Sequence, residues 1–193
     1  MAAAYKTSML IAFLAGGMTA TGACHAWPKY NMGTPATPAQ IAGWYIDVAP
    51  DGKNLPLGHG QVMDGEKLYS TQCASCHGAK LEGGLGPSLI GGEGTLATAK
   101  PIKTIGSYWP YATTVFDYIR RAMPLPKPQS LTNNEVYALT GFLLYKNGLL
   151  PESADVDAKT LMEVKMPNRN GFYLDNRPDA HNKACYLHCL ATK

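Results

Sequence analysis

The run Cys73-Ala74-Ser75-Cys76-His77 constrains this chain more than any other feature. Two cysteines separated by two residues and followed directly by histidine form the attachment signature of a c-type haem. Both thiols add across porphyrin vinyl groups, and the histidine is delivered to one axial face of the iron. A single helical turn lets both sulfurs reach one porphyrin edge. Cys73 and Cys76 are therefore expected to hold one haem c covalently, with His77 as the proximal ligand. The competing chemistries are a thioredoxin-like redox pair and half of a zinc site. The chain contains no second C-x-x-C and no βαβ pattern around this one, so neither gains support.

The N-terminus agrees with that chemistry. Lys6 precedes the apolar run Met9 to Ala15, which relaxes into small residues up to Ala23. This pattern reads as a secretory signal peptide over residues 1–26, too short to span a bilayer. A lipid anchor at Cys24 is the alternative, since small residues precede that cysteine. Export to the periplasm suits both covalent haem attachment and disulfides. No later run is apolar enough for a membrane span. The formal charge of +3 is too small to suggest nucleic acid as a partner.

Three regions follow the signal. Residues 27–62 are rich in proline and glycine and read as an extended arm, with one short helix near Pro38 to Trp44. Ile41, Trp44, Tyr45, Ile46 and Val48 are too apolar for a bare arm in water, which suggests a docking role. Residues 63–150 read as the cytochrome domain. Asp64 is expected to cap a helix entering the haem motif, with Gly65 and Tyr69 on one face. A second helix is expected from Pro110, burying Val115, Tyr118, Ile119 and Ala122 until Pro124 stops it. Thr132-Asn133-Asn134-Glu135 is a capping box for a third, which ends at Asn147-Gly148. Residues 151–193 become polar again and read as a C-terminal extension. The expected fold class is all-α, a class I cytochrome c-like helical domain around one covalently attached haem, with irregular N- and C-terminal extensions.

The iron needs a sixth ligand. Met123 ends a helix directly before Pro124, a placement that can hold a thioether on the distal face and raise the reduction potential toward that of electron carriers. Met166 lies in the C-terminal extension, and Met63 and Met162 read as packing. His77 is expected to donate its second ring N–H to a carbonyl of the Gly86-Pro87 turn. Trp109 either hydrogen-bonds a haem propionate or walls the pocket. Asp117 and Arg121, at i and i+4, suit a solvated ion pair; alternatively Arg120 or Arg121 contacts a propionate or a partner protein. Cys185 and Cys189, four apart, fit a disulfide, whereas His181 and His188 beside them leave a zinc site as the alternative. No nucleophile or acid-base pair stands out, so no catalysis is expected from this chain alone. With both axial positions filled, the expected chemistry is outer-sphere electron transfer.

Longer segments carry a resemblance. The stretch Ile41 to Gly52, the haem motif, Gly91 to Leu96, Lys103 to Pro110, Phe116 to Pro124, Gln129 to Thr132, Glu135 to Thr140 and the terminal Cys185-x3-Cys189 together resemble the cytochrome c subunit of sulfane dehydrogenase. Members of that family partner a molybdenum-cofactor subunit in the Sox thiosulfate-oxidation system. The resemblance implies His77 and Met123 as axial ligands, a molybdenum-cofactor dehydrogenase subunit as partner, and a soluble c-type cytochrome as acceptor. Dihaem members carry a second C-x-x-C-H. This chain has one, so it resembles a single-haem version, which could also serve a sulfite-oxidising molybdenum enzyme. A free-standing electron carrier is the second reading, and it leaves the apolar arm unexplained. A haem enzyme or gas sensor with an open sixth site is the third, and it requires Met123 not to bind.

Overall fold

The computed structural model describes residues 33–175. The segment read as a signal peptide, Cys24, His181, Cys185, His188 and Cys189 lie outside the described residues. Residues 33–37 belong to a separate unit and are exposed coil. The remaining described residues, from Pro38, form the unit that carries the haem motif.

Helix α1, Pro38–Trp44, buries none of its residues. A short strand β1, His59–Gln61, leads directly into α2, Val62–Gln72, and a single turn of helix α3, Ala74–His77, spans the haem motif. Helices α4, Ala112–Ala122, and α5, Asn133–Lys146, follow after a long glycine-rich loop. Strand β2, Asp155–Asp157, and helix α6, Ala158–Glu163, complete the order.

Helix α5 is the centre of the core. Every residue from Val136 to Leu144 is buried, as expected for a helix apolar on all sides. Its start is fixed locally: Thr132 Oγ1 accepts from the Glu135 N–H while Glu135 Oε2 accepts from the Thr132 N–H at 2.7 Å. Asn147 and a left-handed Gly148 end it. Helix α2 crosses α5 at Gly65, where a Cβ would fall onto the Ala138 carbonyl, and Tyr69 packs on Phe142 with ring centroids 5.3 Å apart. Helix α4 meets α5 through Phe116 and Tyr137, whose centroids are 4.5 Å apart.

Several boundaries differ from the sequence reading. Gln61 is the N-cap of α2, and Asp64 sits in the first turn, where it pairs with Lys67 at 3.0 Å. Tyr111 in extended conformation caps α4, so Pro110 stands before the helix rather than in it. Residues 46–62 are not a free arm. Val48 and Val62 are buried, Tyr137 Oη donates to the Pro56 carbonyl at 2.8 Å, and β1 pairs antiparallel with β2 with Gly60 opposite Val156. The described part of the C-terminal extension likewise joins the core through Val156, Leu161, Val164 and Met166, all buried. Among the described residues the fold is thus mostly helical, with one two-stranded ladder.

Candidate haem site

A cavity of about 740 Å³ lies between the haem-motif turn and the helices α4 and α5. Ile105, Val115, Ile119, Leu139 and Leu143 give it apolar walls. Cys73, Cys76 and His77 line one part of it. The Met123-Pro124 step, whose peptide bond is cis, lines another. Among the described residues Met123 is the methionine that reaches this cavity. Met166 is buried elsewhere, and Met63 and Met162 are half exposed, Met162 with its thioether against Gly52.

The turn that presents His77 is held from three directions. Its Nδ1 lies 2.8 Å from the Pro87 carbonyl oxygen. A carbonyl can only accept, so Nδ1 carries the proton and Nε2 keeps the lone pair that a metal could use. The Gly83 N–H donates to the His77 carbonyl and the Gly86 N–H to the Cys76 carbonyl, each at 2.8 Å. On the other side Tyr69 Oη donates to the Gly78 carbonyl at 2.6 Å, and burial pushes the Tyr69 phenol up to about 12, so it stays a donor. Tyr69 thereby anchors the motif turn, a role its place on the buried face of α2 did not announce.

The donor chemistry fits a haem better than the competing uses. Burial, with a smaller contribution from Cys76, pushes the Cys73 thiol up to about 11. A redox-active C-x-x-C pair needs the opposite shift, toward the thiolate. Among the described residues no three His, Cys, Asp or Glu side chains are arranged to hold a bare metal ion. A metal at this cavity must therefore bring most of its own ligands, as a porphyrin iron does. The cavity volume and apolar lining suit such a group.

The other sequence candidates divide. Pro87 and Trp109 line the cavity, and Trp109 stands edge-on to Tyr118, which lines it as well, with centroids 5.7 Å apart. Arg120 and Arg121 do not. Arg120 Nη1 donates to the Ile46 carbonyl at 2.9 Å, and Arg121 clasps Asp117 through Nε and Nη2. Asp117 is buried and also accepts the Val48 N–H at 2.7 Å, so the expected solvated pair instead fastens the chain after α1 to α4. Lys103 and Lys127 line the cavity in place of the arginines. Each stands beside an apolar or proline-rich loop segment, which was the available signal.

Comparison with known proteins follows the same outline. Residues 60–143 match the family of the cytochrome c oxidase cbb3-type subunit III. The crystal structure of the sulfane dehydrogenase SoxCD from Paracoccus pantotrophus superposes with a TM-score of 0.71 at 41% identity, covering 86% of this chain and 84% of that one. The chain belongs to the family of the sulfane dehydrogenase cytochrome subunit. More distant likeness reaches photosystem II extrinsic protein V. The Thermosynechococcus vestitus protein is 30% identical over 68% of this chain and 88% of its own length. The protein from Cyanothece sp. is 29% identical over 62% and 81%. As a sulfane dehydrogenase-type cytochrome subunit, the chain has a haem c-binding domain and an electron-transfer role, and its cavity is the place where the motif residues converge. No described helix is long and apolar enough to cross a membrane.

Proposed function

We propose that this chain is the electron-transfer subunit of a periplasmic sulfane- or sulfite-type molybdenum dehydrogenase and passes electrons to a soluble c-type cytochrome. It holds one haem c through thioether bonds from Cys73 and Cys76, with His77 and Met123 as the axial ligands. The observation that carries this reading is the convergence of Cys73, Cys76, His77 and Met123 on one apolar cavity, with His77 Nδ1 committed to Pro87. Bound haem would supply a one-electron iron couple, which thioether and imidazole ligands set in the range of electron carriers. The protein's own part is to orient: Pro87 fixes the ring of His77, Tyr69 fixes the turn, and Trp109 with the leucines of α5 excludes water. The partnership rests on the 41% identity to a chain of SoxCD and on the exposed apolar side chains of α1, which suit a larger subunit.

The test is expression with its leader in a bacterium competent for haem attachment. Intact mass should show one haem, and the oxidised protein should be low-spin with the weak near-infrared band of methionine-bound iron(III). Met123→Ala should lose that band while keeping the haem. A high-spin wild-type spectrum would overturn the ligation and favour an open-site enzyme or sensor.

A further inference from the structure

The chain after α6 does not leave the domain at Glu163. Val164 and Met166 are buried, and the next residues run over the loop that carries Trp109. Asn168 Nδ2 donates to the Tyr108 carbonyl at 2.6 Å. Phe172 meets the Tyr108 ring edge-on with centroids 5.4 Å apart, and the Arg169 guanidinium lies 4.4 Å from the centroid of Tyr111. The residues on both sides of Trp109 are thus gripped by one short segment, through a hydrogen bond, an aromatic pair and a cation–π contact. Lys103 Nζ, from a residue that lines the cavity, lies 5.0 Å from the centroid of the same Tyr108 ring.

We propose that Asn168, Arg169 and Phe172 form a strap that sets the position of Trp109 and Lys103 on the cavity wall, and so tunes the redox centre bound there. None of the three touches the cavity, so they are positioning residues. Asn168 is half-buried, and Arg169 and Phe172 are exposed. Core stability does not call for a grip at this place, because Leu161 and Met166 already anchor the segment. The contacts instead converge on Tyr108, next to Trp109, and on Tyr111, two residues beyond it, and Trp109 is the tryptophan of the cavity wall among the described residues. An aromatic wall and a nearby ammonium both act on a buried redox group: the first by excluding water, the second by favouring its reduced or anionic state. The proposal rests on the haem reading given above.

The experiment uses the full-length holoprotein. The triple variant Asn168→Ala, Arg169→Ala, Phe172→Ala and the single variant Trp109→Phe are compared with the wild type by intact mass, Soret circular dichroism and midpoint potential. The strap predicts that the triple variant keeps its haem but moves the Soret dichroism and the potential in the same direction as Trp109→Phe. The conservative set Arg169→Lys, Phe172→Tyr should restore wild-type values. If haem is attached and the triple variant is indistinguishable from wild type in both readouts, or if Trp109→Phe itself changes neither, the strap is wrong while the haem reading stands. Wild-type protein without covalent haem removes the haem reading and this proposal with it.

Discussion

The imidazole of His77 packs directly against Gly86: a Cβ at residue 86 would lie 2.8 Å from Cε1 and 2.9 Å from Nδ1. The close approach is set by the hydrogen bonds that fold the loop onto the motif, from the Gly86 N–H to the Cys76 carbonyl and from the ring Nδ1–H to the Pro87 carbonyl. The ring can be fixed this way only because residue 86 has no side chain. Gly86→Ala should therefore displace the imidazole or the loop, costing about 1–3 kcal/mol as an overpacking change. The measurements are the denaturant midpoint and the yield of haem-attached protein, and both should fall. An alanine variant with wild-type yield and midpoint would mean that the loop yields freely and does not orient His77.

Asp117 makes a second prediction. Its carboxylate serves the buried Val48 N–H and the Arg121 guanidinium together. Asp117→Ala leaves that N–H unpaired inside the protein, a loss of about 1–3 kcal/mol. Arg121→Ala should cost less, because Arg121 is 45% exposed and an exposed ion-pair partner contributes little. Urea unfolding of the two variants side by side gives the comparison. Equal losses would assign the stability to the ion pair and not to the anchoring of Val48.

The same carboxylate shows where sequence reading stops. Spacing along a helix made the Asp117 and Arg121 pair visible, but Val48 lies far away in the chain and no local pattern connects the two. The capping box at Thr132 and Glu135 was legible because all of its partners lie within one turn. The haem motif and the carbonyl near Pro87 were legible because their chemistry fixes their spacing. Strands β1 and β2 have three residues each, too short for an alternation to show, and the segments that carry them are rich in polar residues, proline and glycine. Their burial comes from isolated apolar residues, Val156 and Leu161 among them, that only the pairing of distant segments brings into the core. For Arg120 and Arg121 the sequence leaves a solvated pair, a propionate contact and a partner contact open; neither lines the cavity, and they bond the Ile46 carbonyl and Asp117.

The β1–β2 ladder carries a pH dependence. His59 Nδ1 lies 3.0 Å from Asp155 Oδ1, and this hydrogen bond, with the attraction between the charges, raises the His59 pKa above its ordinary value. A raised folded-state pKa means that the imidazolium binds its proton more tightly in the folded protein. The stabilisation is then full below the unfolded histidine value, about 6.5, and is lost as pH rises through the higher folded value. Both side chains are exposed, so the effect is small and salt-sensitive. Nuclear magnetic resonance titration of His59 should give a midpoint above that of a free histidine, and Asp155→Asn should return it. A midpoint unaffected by Asp155→Asn would show that the contact does not persist in solution.

The final prediction concerns helix α1. Trp44 is 88% exposed, Ile41 54% and Tyr45 52%, whereas Val48, a few residues on, is buried against α4. The boundary between what the domain holds and what it offers therefore falls between Tyr45 and Val48. Deleting the chain as far as residue 60 would remove Val48, the Pro56 acceptor of Tyr137 and part of β1, so it would unfold the domain rather than test docking. Ile41→Ala, Trp44→Ala and Tyr45→Ala together remove only exposed side chains. Their thermal midpoint and haem spectrum should match the wild type. Affinity for the molybdenum-cofactor subunit should fall by about 30-fold or more, the loss of about 2 kcal/mol typical when a central aromatic anchor is truncated. Isothermal titration with that subunit, and substrate-dependent haem reduction at limiting concentrations, measure it. Unchanged affinity in a correctly folded triple variant would show that α1 is not the docking element, and the partner would then have to be held by another face of the domain.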